Sequence, residues 1–380
     1  MHRKIAGLIM WVLALLITTT LHAQVTTSSI NGTVTDQKGE GLQGATVEAV
    51  HQPSGTKYTT VSKKGGVFNM PGLRAGGPYT VTITYTGYKP QVTENITLTL
   101  GDAYNINAEM SSTATDLAAV VVTGTRRRSS ADRSGPTTNI NSRMLATLPT
   151  ISRSITDFTR ITPQANGTSF AGRDNRLNNV TVDGANLNNN FGLSSDLLPG
   201  GGNPIALDAF SEISVNVSPF DVKQSGFTGA GVSAITKSGT NTFHGSVYGS
   251  YRNQSYNGTN VAGVKLPSPA ATSNKIYGAT FGGPIIKNKL FFFLSGEVEK
   301  AEQPGVTFNA RKTGQTAGGN ISNVPYDSMK VLSDYLQSKY GFNPGVYDNF
   351  PTFASDNYKV LAKVDWNIST STKLTVKYSD

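Results

Sequence analysis

The sequence predicts a mainly β protein with three parts in series: a small β-sandwich, an α+β middle domain, and the first strands of an antiparallel transmembrane β-barrel. Three observations predict this. Short segments of alternating apolar and polar residues, separated by turn clusters, recur up to residue 110. Longer alternating segments recur after residue 242. The connections between those longer segments alternate strictly between long and short. Composition agrees: 40 glycines and 15% charged residues suit many short strands joined by turns and fit a helical bundle poorly. The 380 residues contain no cysteine, so disulfide frameworks and thiolate metal sites are excluded.

Residues 1–23 read as a signal peptide. His2, Arg3 and Lys4 make a basic start, Ile5 to Ile17 is an apolar run of 13, and Ala23 before Gln24 is the best cleavage point. The run is short for an uncleaved membrane anchor, the alternative reading, although Leu21 is large for its place three residues before the cut. Loss of Arg3 and Lys4 lowers the formal charge from +9 to +7. The remaining basic residues are scattered except for Arg126, Arg127 and Arg128, and no basic stripe interleaved with aromatics accompanies them, so nucleic acid is not an expected partner. No later segment is apolar for the roughly 18 residues of a membrane helix; a membrane part must be a closed barrel.

Residues 24–110 carry the sandwich. Alternation runs through Ile30 to Thr35, Ala45 to Val50, Tyr79 to Tyr85 and Asn95 to Leu100, with turns at Asp36 to Gly39, Lys63 to Gly66 and Arg74 to Pro78. Short strands at this spacing predict a small antiparallel sandwich. The stretches Gly32-Thr33-Val34-Thr35-Asp36, Gly44-Ala45-Thr46-Val47, Gly66-Val67-Phe68 and Tyr85-Thr86-Gly87-Tyr88 resemble the carboxypeptidase-regulatory-like domain. That resemblance implies a transthyretin-like, carbohydrate-binding-like sandwich. Ser62-Lys63-Lys64 departs from the family, which has an acidic turn residue there, so no family calcium or ligand contact is carried over to it. A zinc peptidase needs His and Glu ligands, and only His51 and His244, in different regions, remain after signal removal. No enzyme activity, catalytic residue, metal or cofactor is expected.

Residues 111–133 form a linker around Asp116 to Arg126. Val120, Val121, Val122 and Thr123 are too short a run to make a core element alone, but an extended segment in a tether is suited to pairing with the edge of a partner's sheet. The stretch resembles the TonB box, which implies a TonB-type inner-membrane energy-coupling protein as partner; the other reading is a buried first strand of the next domain.

Residues 134–241 are that domain. Pro149 to Phe158 predicts a short capped helix, Asn178 to Ala185 a strand ending at a turn, and Ile205 to Val217 a further element after the loop Gly200 to Pro204. Ser225 to Asn241 follows, with Gly226, Gly229 and Gly231 as a glycine turn before a strand. Their spacing matches neither a dinucleotide nor a P-loop fingerprint, so nucleotide binding drops out. With Ser218-Pro219-Phe220-Asp221, this closing stretch resembles the plug domain of TonB-dependent receptors of the Oar-like group.

Residues 242–380 set the environment. Between Thr242 and Arg252, Phe243, Gly245, Val247, Gly249 and Tyr251 share one face, and Thr242, His244, Ser246, Tyr248, Ser250 and Arg252 the other. The pattern returns in Asn274 to Gly283, in Leu290 to Lys300 with Leu290, Phe292, Leu294 and Val298 on one side, and in Asn357 to Ile368. In the last, Tyr358, Val360, Ala362, Val364 and Trp366 oppose Lys359, Lys363, Asp365 and Asn367; Leu374, Val376 and Tyr378 begin a fifth strand. The first and third connections are long, while Pro284 to Lys289 and Ser369 to Thr372 are short, the parity of a barrel with external loops and periplasmic turns. A soluble sandwich has no reason for it. In the long third connection, Met329, Leu332, Tyr335 and Leu336 predict a packed extracellular helix over Tyr326 to Tyr340. Phe281 to Phe293 also resembles the first barrel hairpin of the Oar-like group.

The order of parts is similar to that of a TonB-dependent outer-membrane receptor. The resemblance implies residence in the cell outer membrane, contact with its lipid, and energised import of a bulky, unknown extracellular ligand such as a siderophore, glycan or peptide. The competing reading is a surface structural or adhesion protein that imports nothing. Five strands cannot close a barrel, so the sequence is expected to be the N-terminal fragment of a longer product.

Overall fold

The structure, a computed structural model, describes residues 25–112, 120–123, 136–150, 152–188, 197–198, 203–219, 224–265, 271–305, 308–348, 350 and 352–380. The expected signal peptide (residues 1–23), Arg126 to Arg128, Gly200 to Gly202 and Phe220-Asp221 lie outside the described residues. The chain divides into two compact units, one of residues 1–244, 281–294 and 361–379, the other of 245–280, 295–360 and 380.

The first unit opens with strands β1 (Ser28–Asp36), β2 (Thr46–His51), β3 (Thr56–Val61), β4 (Val67–Leu73), β5 (Gly76–Thr84), β6 (Gln91–Leu98) and β7 (Ala103–Met110), followed by β8 (Val120–Thr123). Two sheets result, in the orders β4-β1-β7 and β3-β2-β5-β6-β8. Along β1 to β7 inward residues alternate with outward ones over much of each strand, and Ile30, Val47, Phe68, Tyr79, Ile83 and Ile96 form part of the shared core. The sandwich is mixed rather than purely antiparallel, because β1 runs parallel to β7 and β6 parallel to β8. Close approach of β7 requires Gly32: a Cβ there would fall 1.8 Å from the carbonyl oxygen of Ile106.

The middle domain contains β9 (Thr137–Asn141), helices Ser142–Thr147 and Ile155–Thr159, a small hairpin β10 (Ala165–Asn166) and β11 (Ser169–Phe170), then β12 (Asn179–Val182), β13 (Ala185–Asn186), β14 (Phe210–Val217) and β15 (Ala230–Thr236). Its sheet has the order β13-β12-β15-β14-β9, with β12 parallel to β15. The expected helix is shorter and starts later than the sequence pattern suggested. Ser154 caps it by accepting from Thr156 N–H, and Asp157 reciprocates in a capping box. The other helix, capped by Asn141, was not anticipated.

The chain continues through β16 (His244–Asn253), β17 (Asn260–Val261), β18 (Val264–Lys265), β19 (Ser273–Ile286), β20 (Leu290–Gln303), β21 (Asn309–Arg311), β22 (Ile321–Pro325), helix Tyr326–Tyr340, β23 (Phe353–Asn367) and β24 (Lys373–Ser379). The long strands make one sheet, β16-β19-β20-β23-β24, joined in sequence order. Val247, at 89% exposed, and Tyr251, Tyr277, Phe281, Tyr358, Val364 and Trp366 face outward, while Ser295, Glu297, Lys359, Lys363 and Asp365 are buried on the opposite face. Outward apolar and inward polar residues are the alternation of a membrane strand.

Two expectations need correction. The inner face of β20 is not polar throughout: Phe291 and Phe293 are buried opposite Leu290 and Leu294, and Phe293 joins Leu361 in the apolar core of the middle domain. Helix Tyr326–Tyr340 forms where expected and ends at Gly341 in the left-handed region, but none of its residues is buried, so it is not a packed helix. In the second unit, Lys359 Nζ lies 2.7 Å from Glu297 and 3.2 Å from Glu299, and Tyr248 donates to Glu297 at 2.7 Å.

Candidate functional site

Val120 to Thr123 form the edge strand β8, paired in parallel register with Gln91 to Glu94 of β6. The segment therefore adds to the sandwich and not to the middle-domain sheet, whose edge on that side is β9. A four-residue strand held on one side only is easily exchanged between sheets, since a competing edge offers the same ladder.

The glycine turn does structural work. Asn178 Oδ1 accepts from the Ala230 N–H at 2.9 Å, and a Cβ on Gly229 would fall 2.2 Å from that oxygen. A Cβ on Gly231 would meet the Phe227 ring at 2.7 Å. Gly226 has φ +84°, a conformation that side chains rarely adopt. The three glycines seat the loop against Asn178 and let β15 start beside β12.

Past β15 lies a charged cluster that the sequence reading missed. Asp183 follows β12 with φ +48° and accepts from the N–H and the hydroxyl of Thr236 at 2.8 and 2.7 Å. Lys377 Nζ and Lys363 Nζ stand 3.2 and 3.7 Å from its carboxylate, and Lys363 also donates to Thr236 Oγ1 at 3.2 Å. Burial by itself would raise the Asp183 pKa; Lys363, the Thr236 N–H, Lys377 and the Thr236 hydroxyl outweigh it and hold the carboxyl below its ordinary value. One carboxylate of the middle domain thus holds two lysines, one from β23 and one from β24. The available signals were an Asp-Gly turn after a buried strand and lysines on the polar face of the later strands; nothing local connects them.

Beside this cluster is a cavity of about 680 Å³, lined among others by His51, Arg74, Glu212, Lys237, Asp365 and Lys373. His51 Nδ1 pairs with Ser54 Oγ at 2.6 Å, and burial, then Arg74 and Lys373, lower its pKa to about 3, so it stays neutral at ordinary pH. Among the described residues no group of three or more His, Cys, Asp or Glu could hold a metal ion, and no helix is long and apolar enough to cross a membrane.

Comparison with known proteins gives the class. Residues 29–111 match the family described as "Carboxypeptidase regulatory-like domain", and residues 235–380 match "Outer membrane beta barrel domain". The chain therefore carries a carboxypeptidase-regulatory-like domain followed by an outer-membrane β-barrel domain, the location and the order of parts that its sequence predicts. Its particular likeness is to "TonB-dependent transporter Oar" of Myxococcus xanthus, 25% identical over an alignment 286 residues long that covers 70% of this chain and 26% of that protein. The chain thus spans about a quarter of that relative. Among solved structures it is similar to the siderophore receptor PirA from Acinetobacter baumannii, with 21% identity, TM-score 0.44, and coverage of 65% of this chain and 31% of that one. It is also similar to a mutant of the ferric enterobactin receptor PfeA from Pseudomonas aeruginosa, with 16% identity, TM-score 0.43, and coverage of 65% and 32%.

Proposed function

We propose that this chain takes part in energised import across the outer membrane, with Val120 to Thr123 as the segment that the inner-membrane energy-coupling protein grips. The observation that carries the reading is β8 itself: a short Val-rich edge strand between the sandwich and the middle domain. A partner that offers a sheet edge can take it by strand addition, with main-chain hydrogen bonds supplying the grip. In this reading the middle domain is the plug, and the long connections after β16 and β20 meet an external ligand. The ligand is bulky, in the class of ferric siderophores, glycans or peptides, and it is moved without being chemically changed. The named relative is a TonB-dependent transporter, which supports the same reading.

The test exploits the absence of native cysteine. A Val121→Cys variant is expected to form a disulfide with a cysteine-bearing coupling protein in oxidised cells. Val121→Pro, which cannot donate a ladder hydrogen bond, is expected to abolish uptake of a radiolabelled ferric siderophore, oligosaccharide or peptide that wild-type cells import, while surface binding persists. Uptake that survives both Val121→Pro and collapse of the proton gradient would refute the assignment and leave the surface structural or adhesion reading.

A further inference from the structure

The sandwich is clasped to the middle domain and to the ends of the long strands. Its Pro53 carbonyl accepts from Asn241 N–H at 2.8 Å, and Thr56 Oγ1 accepts from Asn367 Nδ2 at 2.9 Å. Arg74 reaches Asp365, a buried residue on the inward face of β23, at 3.6 Å. Leu100 N–H donates to the buried Glu212 of β14 at 3.1 Å, and Asp102 accepts from Asn139 of β9 at 3.1 Å. The Lys373 ammonium sits 3.1 Å from the centre of the Tyr58 ring. Among the described residues, the buried apolar cluster in this contact is small: Ala75, Leu100 and Ile235, with Val25 against them.

From these contacts we propose that the sandwich is a second, periplasmic closure, seated over the inward residues of β23 and β24 and released when the tether is pulled. The proposal rests on the transport reading above. The clasp is built for release: its partners are mostly charged or polar groups that regain water on separation, where a broad apolar interface would not. Asp365 and Glu212 are only 4% exposed each, so these carboxylates depend on the sandwich for their Arg74 and Leu100 partners. The tether is tied to the same body, since the β8 ladder lies on β6. A pull on β8 therefore loads the sandwich. Cargo that leaves past Asp183, Lys363 and Asp365 enters the cavity that the sandwich shares with them, and its onward path needs the clasp open.

The test is a cysteine pair, Thr56→Cys with Asn367→Cys, in the full chain as expressed in its host's outer membrane. With the proton gradient collapsed, a periplasmic oxidant should bridge the pair. In energised cells bridging should fall by about tenfold, the change that a modest population shift produces. Val121→Pro should cancel that fall, and Arg74→Glu should lower bridging even without the gradient while Arg74→Lys retains it. A second pair, Pro53→Cys with Asn241→Cys, covers failure of the first to accumulate. Bridging at neither pair, or bridging that ignores the gradient, overturns the closure. If Val121→Cys still cross-links to the coupling protein in that case, the transport reading survives its loss.

Discussion

Replacing Asp183 by Ala removes the only carboxylate within 4 Å of both Lys363 and Lys377 among the described residues. Lys363 keeps its Thr236 contacts but loses its nearest carboxylate in a place where its side chain is 8% exposed. Breaking a buried pair from one side costs about 3–5 kcal/mol. Asp365 is also close enough to act on Lys363, so the lower end applies, about 3 kcal/mol. The first structure to feel the loss is β15, whose Thr236 is tied to Asp183 by two hydrogen bonds. Hydrogen exchange of the peptide Ala230–Thr236 in the full chain should therefore accelerate roughly a hundredfold in Asp183→Ala, at about 1.4 kcal/mol per decade. Acid should imitate the substitution. The folded carboxyl lies below its ordinary value of 3.8, so its contribution is complete above that pH and is lost as pH falls through the folded pKa. Relative to intrinsic rates, wild-type protection should drop below about pH 4 while Asp183→Asn stays flat. Removing the exposed carboxylate of Asp174, paired with Arg176 at 2.8 Å, should leave the exchange unchanged. Protection in Asp183→Ala within threefold of wild type, about 0.6 kcal/mol, would refute the idea that this cluster holds the middle domain.

Three further outcomes follow from the geometry. His51, with a pKa lowered from 6.5 to about 3, binds its proton more readily when unfolded, so β2 should lose stability as pH falls below 6.5. At pH 4.5 the loss should approach about 3 kcal/mol, and protection of the Thr46–His51 peptide, taken relative to intrinsic exchange rates, should lose this pH dependence in His51→Gln. Val364→Arg places a cation on the outward face of β23 and should cost about 2–4 kcal/mol in unfolding from lipid if it lies near mid-membrane; no cost would mean that this face meets water. Phe293→Ala should cost about 3–5 kcal/mol, whereas the neighbouring outward Leu294→Ala should cost much less, both read from urea unfolding in detergent.

What the sequence disclosed and what it hid divide along chain distance. All five long strands and the Tyr326–Tyr340 helix fall where periodicity predicts, because those signals are local: a period of two for strands on a membrane boundary and 3.6 for the helix. The parallel pairing of β1 with β7 is set by residues some seventy positions apart, and its one trace is Gly32, whose lack of a side chain has meaning only once Ile106 is beside it. In β20, alternation puts Leu290, Phe292 and Leu294 on one face, as the structure has them, but it leaves Phe291 and Phe293 on the face expected to be polar; only the middle-domain core, which takes Phe293, accounts for that. The predicted helix shows the reverse limit. Spacing forms an apolar stripe, but burial requires a surface to cover it, and here Val331, Leu332 and Tyr335 stay exposed.

The Val-rich segment shows why the candidate site was only half legible. Its sequence marks it as a strand without a home: four extended residues after Leu117-Ala118-Ala119, too few to nucleate a sheet, within a linker otherwise rich in Ser, Thr and Arg. Two sheets were available, the sandwich and the middle domain, and pattern alone cannot choose because edge pairing uses the main chain, which every sequence shares. The structure chooses β6, the outermost antiparallel strand of the larger sandwich sheet, and β8 joins it in parallel. Parallel edge pairs of this length are weak, bound on one side and open on the other. A strand parked in that way is still available to a stronger edge, which is what the proposed handle requires.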